Sequence, residues 1–109
     1  MDSIVKRHLI AKALRRSYVK RKIINYLSIY ECGYISEIAR YISCTPTNVC
    51  GAVRGMQNRY NTGDSLVGLN LVEEIDTGRK DKLRFYRITP LGRESIEMCR
   101  EVDYYSNKK

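Results

Sequence analysis

From Ser3 to Arg16 the chain contains neither Gly nor Pro and is rich in good helix formers, so its pattern predicts a helix. Ile4, Val5, Leu9, Ile10, Ala13 and Leu14 spread over a wide arc of that helix, and Lys6, Arg7, Lys12, Arg15 and Arg16 fill the rest. Ser17 is placed to cap a second helix running to about Glu31, with Val19, Ile23, Tyr26, Leu27 and Tyr30 recurring at helical spacing on one face. Cys32 and Gly33 are expected to end it, because glycine is the common residue just beyond a helix C-terminus. Tyr34-Ile35 then reads as a stub of strand, and Ser36 as the cap of a brief helix from Glu37 to Ile42, whose apolar face is Ile38, Ala39 and Ile42.

After a break at Ser43-Cys44, Thr45-Pro46 is a strong helix start, with Thr as cap and Pro in the first turn where its missing N–H is harmless. The third helix is expected to reach about Arg59. At about 100° per residue, Val49, Val53, Met56 and Tyr60 form the stripe that anchors it. The opposite stripe holds Thr47, Gly51, Arg54 and Asn58, flanked by Asn48 and Gly55, and carries no acidic residue. Two glycines in a helix cost roughly 1 kcal/mol each against alanine, which calls for compensation, either by close approach of the helix to another surface or by helix packing inside the protein.

Residues 61–65 form a loop by composition, and Asp64 or Ser65 is placed to cap a short turn reaching Leu69, stopped by Asn70 in a left-handed conformation. Leu71 to Asp76 reads as a strand, residues 77–82 as a basic hairpin tip, and Leu83 to Ile88 as the returning strand. Thr89-Pro90 repeats the cap-then-proline start, opening a final helix towards Tyr104 with Leu91, Ile96, Met98, Cys99 and Val102 among its apolar residues. Residues 106–109 are expected to fray.

Length and composition add limits to this pattern. With 109 residues, 43% of them hydrophobic and 29% charged, the chain suits one compact domain. No apolar run approaches the roughly 20 residues of a membrane span, and the N-terminal stretch lacks signal-peptide organisation, so the expected location is the cytoplasm. The net charge of +8 is distributed unevenly. Residues 1–25 hold eight Lys and Arg against Asp2 alone, whereas residues 26–109 hold twelve against eleven acids. Such an excess points to a polyanionic partner. Cys32, Cys44, Cys50 and Cys99 show no Cys-x-x-Cys spacing and the one histidine, His8, lies far from them in sequence, so no metal or other cofactor is expected and the thiols read as reduced, small apolar groups. No phosphate-binding glycine loop or paired Cys/His constellation suggests an enzyme.

Two segments carry a family resemblance. Ile35-Ser36-Glu37-Ile38-Ala39-Arg40-Tyr41-Ile42, followed by Cys44-Thr45-Pro46-Thr47-Asn48-Val49, resembles the helix-turn-helix signature of winged-helix regulators. Tyr86-Arg87-Ile88-Thr89-Pro90-Leu91-Gly92-Arg93 is similar to the end of the wing and the start of the closing helix in MarR-like and PadR-like proteins. With Leu69-Asn70-Leu71-Val72-Glu73, where Asn70 stands in place of the usual Gly, the resemblance spans roughly residues 18–98 and fits small archaeal transcriptional regulators best. The loop from Tyr60 to Ser65 is longer than is usual in that pattern.

The expected fold is therefore α+β and mainly α: a winged helix-turn-helix domain over residues 17–98 with a two-stranded β-hairpin wing. A basic N-terminal helix (1–16) precedes it, and residues 99–109 hold the end of a C-terminal helix and a frayed tail. The resemblance implies a sequence-specific double-stranded DNA binder, with the helix of residues 46–59 in the major groove. Arg54 and Asn58 would read base edges, because Arg chelates guanine and Asn pairs bidentately with adenine. Thr45, Thr47 and Asn48 would hold phosphate or reach bases, Gly51 would permit close approach, and Arg79, Lys80 and Lys82 on the tip would supply sequence-independent affinity on the backbone or minor groove. The competing reading is a winged-helix protein–protein adaptor in a larger assembly. The wide apolar arc of the first helix, with Tyr104 and Tyr105 at the other end, suggests a homodimer held by both terminal helices, spacing two recognition helices about 34 Å apart. No residue pattern identifies a small-molecule effector.

Overall fold

The computed structural model describes residues 3–55, 65–75 and 84–100. In chain order these form α1 (Ser3–Arg16), α2 (Tyr18–Tyr30), β1 (Cys32–Tyr34), α3 (Ile35–Ile42), α4 (Pro46–Arg54), β2 (Val72–Ile75), β3 (Phe85–Ile88) and α5 (Pro90–Glu94). The fold is α+β and mainly helical, with one small antiparallel sheet of strand order β1-β3-β2.

Local chemistry explains most boundaries. Ser17, in extended conformation, accepts the Lys20 N–H at 3.1 Å and starts α2 as expected. Just before that cap, the Arg21 guanidinium is buried and donates to the Leu14 carbonyl at 2.7 Å and the Arg15 carbonyl at 3.1 Å. It thereby satisfies the open C-terminal carbonyls of α1 and fixes that helix against α2. The wide apolar arc of α1 is largely covered from within the same chain: Ile10, Ala13 and Leu14 are buried, while Val5 and Leu9 remain 48% and 40% exposed.

The end of α2 differs from expectation. Glu31, at φ 70°, turns the chain, and its carbonyl accepts the Ile88 N–H at 3.1 Å. Gly33 is not the helix terminator but the middle of β1, paired with Tyr86. A Cβ there would stand 3.0 Å from Cε1 of Tyr26, so glycine is needed for the aromatic ring to close over the strand. The strand stub is thus shifted back to Cys32–Tyr34, and Ile35 and Ser36 are already helical. Ser36 is not the cap of α3. The Glu37 carboxylate instead accepts the Tyr34 N–H at 3.0 Å.

The sheet also gains a strand relative to the expected two-stranded wing, since β1 pairs with β3 through Cys32↔Arg87, Gly33↔Tyr86 and Tyr34↔Phe85. On the other side of β3, β2 pairs through Val72↔Ile88, Glu73↔Arg87, Glu74↔Tyr86 and Ile75↔Phe85. Tyr86 and Ile88 face the core in alternation with exposed Arg87. One continuous core joins Ile10 and Leu14 of α1, Ile23, Ile24 and Leu27 of α2, Ile38 of α3, Val49 and Val53 of α4, and Leu66, Leu71, Val72 and Tyr86.

The closing element is seated tightly. Thr89 Oγ1 accepts the Gly92 N–H at 2.9 Å, donates to the Asn70 carbonyl at 2.6 Å, and so caps α5 while tying it to the turn before β2. Asn70 has the expected left-handed φ of 62°. A Cβ on Gly92 would fall 2.1 Å from the Leu71 carbonyl oxygen, a contact no side chain tolerates. The final helix is not continuous: Ser95 Oγ donates to the Gly92 carbonyl at 2.6 Å and marks a local break, after which residues 96–100 are helical again. Val102, Tyr104, Tyr105 and residues 106–109 lie outside the described residues.

Candidate nucleic-acid interface

The pair α3 and α4 is joined by a tight turn in which Ser43 adopts φ 59° and the Cys44 N–H reaches the Ala39 carbonyl at 2.9 Å. Thr45 then caps α4 by accepting the Asn48 N–H at 3.2 Å, with Pro46 in the first turn. This start leaves Thr45, Thr47 and Asn48 exposed, while Val49, Ala52 and Val53 enter the core. At the other end, Arg54 is exposed and Gly55, at φ 80°, closes the helix. The carbonyls of Ala52 and Val53 accept the N–H groups of Leu66 and Val67 at 3.0 and 2.9 Å, so the orphan acceptors of the last turn are met by the segment leading to β2. The helix is therefore shorter than the expected run to Arg59.

The expected contact residues divide into three groups. Thr45, Thr47, Asn48 and Arg54 are each exposed, the first three at the start of α4 and Arg54 at its end. Gly51 does not belong with them, because it is buried. A helical angle gives direction but not what lies above it, and a buried position without a side chain offers no contact to a partner. Asn58, Arg79, Lys80 and Lys82, like Met56 and Tyr60, lie outside the described residues.

Two features beside α4 were not anticipated from sequence. The first is a groove of about 510 Å³ between α1, the start of α2 and α4. Among the described residues it is lined by the cationic Lys12, Arg16 and Lys20, the polar Ser17 and Asn48, and the apolar Leu9, Ala13, Val19 and Ala52, with no carboxylate. Asn48 thus forms the rim between the exposed face of α4 and a concave cationic surface. The uneven charge along the chain had marked the N-terminal segment as cationic, but only the packing of α1 across α2 sets it beside α4.

The second feature lies on the opposite side of α4, at the base of the β2–β3 hairpin. The Glu74 carboxylate accepts two hydrogen bonds from Arg84 Nη1, at 3.0 and 2.9 Å, and one from the Tyr86 hydroxyl at 2.9 Å. Partial burial pushes the Glu74 carboxyl up, but the bonds from Arg84 and Tyr86, aided by the Arg54 charge, outweigh it and hold the group below its ordinary value. Burial, followed by the bond to Glu74, pushes the Tyr86 hydroxyl up, and Arg54 opposes that shift. Arg54 and Cys50 on α4 are therefore within electrostatic reach of this cluster. Further along the strands Arg87 is bonded to Glu73, and Arg93 of α5 is 3.5 Å from Glu31.

None of the four cysteines is in a disulfide. No helix among the described residues is long and apolar enough to cross a membrane. No solved structure matches the chain. An uncharacterised protein of Methanocaldococcus jannaschii is 35% identical over 97 residues, covering 87% of this chain and 85% of that relative. The EarA-like family model matches residues 10–99, which begin inside α1 and end in the helical segment after α5, and the chain accordingly belongs to the EarA-like family.

Proposed function

We propose that the protein is a cytoplasmic, sequence-specific double-stranded DNA-binding regulator, with the domain acting as a winged helix-turn-helix. In this reading α4 enters the major groove and the β2–β3 hairpin is the wing. Arg54 is the described residue suited to a guanine edge, and Thr45, Thr47 and Asn48 meet phosphate or base edges near the helix N-terminus. The observation that carries the reading is the continuity of the exposed α4 face with the groove of Lys12, Arg16 and Lys20. A duplex lying along α4 presents its sugar–phosphate backbone to that groove, where three cations and no carboxylate receive it. No catalytic step is part of this proposal.

A homodimer completes it. Ile10, Ala13 and Leu14 of the apolar arc of α1 are taken up by the chain's own core and Leu9 lines the cationic groove, so the face left to a second copy is narrower than the sequence suggested and includes Val5.

The test is equilibrium binding of the purified protein to a pool of random duplexes across a salt series, followed by sequencing of the retained fraction. A regulator enriches a defined sequence, and its affinity falls steeply with salt in proportion to the phosphates it neutralises. An adaptor that binds only proteins enriches nothing and shows the weak background of any basic chain.

A further inference from the structure

The Glu74–Arg84–Tyr86 cluster sits where a purely adhesive DNA surface would not put a carboxylate. Glu74 is on β2 and Arg84 immediately precedes β3, so the ion pair closes the base of the hairpin diagonally across the strands. The pair is not sealed from solvent: the Arg84 and Glu74 side chains are 51% and 39% exposed. The Arg84 guanidinium is therefore reachable from solvent while Nη1 is held by both oxygens of the Glu74 carboxylate.

We infer that Glu74 is a specificity-determining residue, which holds Arg84 against a carboxylate that a DNA phosphate must displace. This rests on the reading of α4 as the DNA-facing helix. The chemistry is a competition between two anions for one guanidinium. Carboxylate and phosphate oxygens take the same guanidinium donors, and Arg84 Nη1 is already shared between both oxygens of Glu74. With Glu74 in place, a random duplex meets an Arg84 whose charge is already paired with a carboxylate. A duplex seated in register on α4 offers Arg54 a base edge and brings a phosphate close enough to exchange with Glu74. The Tyr86 hydroxyl, bonded to the carboxylate and fixed in the core, keeps Glu74 in place rather than letting it swing away. Glu74 thus reduces affinity for every duplex but reduces it least for the cognate one.

The experiment compares the full chain with Glu74→Gln, Arg84→Ala and the double variant, using the selected duplex and a scrambled duplex of equal length over a salt series. Gln keeps the size of Glu and an acceptor for Tyr86 while removing the charge, and thermal unfolding of each variant checks that the hairpin survives. The expected result is that Glu74→Gln tightens scrambled-duplex binding about ten-fold, tightens the selected duplex by no more than about three-fold, and steepens the salt dependence by about one phosphate equivalent. In the Arg84→Ala background the gain from Glu74→Gln falls by half or more. Unchanged scrambled-duplex affinity and salt slope in a folded Glu74→Gln protein overturn the inference while leaving α4 as the reading helix. Equal tightening on both duplexes overturns it too, because Glu74 is then only a general repulsive charge. If the unmodified chain binds no duplex in a salt-dependent way, the DNA reading itself fails and this inference with it.

Discussion

The two flanks of α4 are both cationic but are built in opposite ways. Towards α1 and α2, Lys12, Arg16 and Lys20 line a groove that contains no carboxylate. Towards the sheet, Arg84 is held by Glu74, and the same pairing recurs elsewhere on the molecule, where Arg87 is held by Glu73 and Arg93 lies beside Glu31. Isolated surface ion pairs contribute little to stability, so pairing on the sheet side does more to cancel charge than to hold the strands together. An unbalanced flank attracts any polyanion and so supplies affinity, whereas a balanced flank responds only to a partner able to replace the internal carboxylates. In the proposed function the first flank holds DNA and the second tests it.

The largest expected effect comes from the unbalanced flank. Replacing Lys12, Arg16 and Lys20 together with Ala should weaken duplex binding about 100-fold at moderate salt and reduce the salt slope by about 2 to 3 units, with cognate and scrambled duplexes affected alike. Equilibrium binding across a salt series measures both quantities. If affinity and slope stay at the parental values in the folded triple variant, the groove does not hold the backbone, and the contrast between the two flanks loses its functional meaning.

The balanced flank depends on its seat, which is steric rather than electrostatic. Gly92→Ala would place a methyl group 2.1 Å from the Leu71 carbonyl oxygen, which already accepts the Thr89 N–H at 3.0 Å. Neither a backbone oxygen in use nor a helix capped by Thr89 can move away cheaply, so the substitution should cost about 2–4 kcal/mol. Thermal unfolding should show a fall of about 10–20 °C in Tm. A change of only a degree or two would mean that α5 is loosely docked and that the sheet flank has no fixed position relative to α4.

These two cases also show what the sequence did and did not reveal. Thr45-Pro46 and Thr89-Pro90 announced helix starts because their capping chemistry is local, and Thr45, Ser65 and Thr89 all accept the N–H three residues on. Ser17, which caps α2, was legible for the same reason. Gly33 misled, because its requirement comes from the Tyr26 ring across the core rather than from a helix end. The end of α4 was set too far along, since Gly55 and the bonds from Leu66 and Val67 stop it at Arg54. Of the site, the exposed Thr45, Thr47, Asn48 and Arg54 followed from helical angle. The groove and the Glu74 cluster did not, because each joins residues brought together only by tertiary packing. In retrospect the signal for the second was present as Glu73-Glu74 facing Arg84 and Arg87 across a predicted hairpin, an arrangement that favours cross-strand ion pairs.

A sharper distinction within α4 itself comes from Arg54. If it reads a base edge, Arg54→Ala should cost about 1–3 kcal/mol on the selected duplex and little on a scrambled one, and selection with the variant should lose preference at one position. A uniform loss across all duplexes would instead assign Arg54 to phosphate and make it functionally part of the cationic surface rather than of the reading face. The fold should be unaffected, since Arg54 is exposed at the last helical position.

The smallest effect concerns acid, and it separates the two flanks by chemistry alone. The Glu74 carboxyl is held below its ordinary value of 4.5, with burial opposing and the bonds from Arg84 and Tyr86 prevailing. A carboxyl whose folded value is depressed stabilises the folded state fully above its unfolded value and loses that contribution as pH falls through the lower, folded one. Stability should therefore be insensitive to Glu74 between pH 7 and about pH 5, and should decline below about pH 4.5 as the proton competes with Arg84 for the carboxylate. The half-exposed setting and salt screening keep this contribution small. Glu74→Gln should flatten the acid limb of a Tm-against-pH curve, so that variant and parent converge once pH has fallen through the lowered value of the Glu74 carboxyl. The Lys12, Arg16 and Lys20 triple variant should keep the parental acid limb, because no carboxylate is among the described residues lining their groove. Parallel acid limbs for Glu74→Gln and the parent would show that the carboxylate is not engaged by Arg84 in solution, and the proposed competition between Glu74 and a DNA phosphate would then fail.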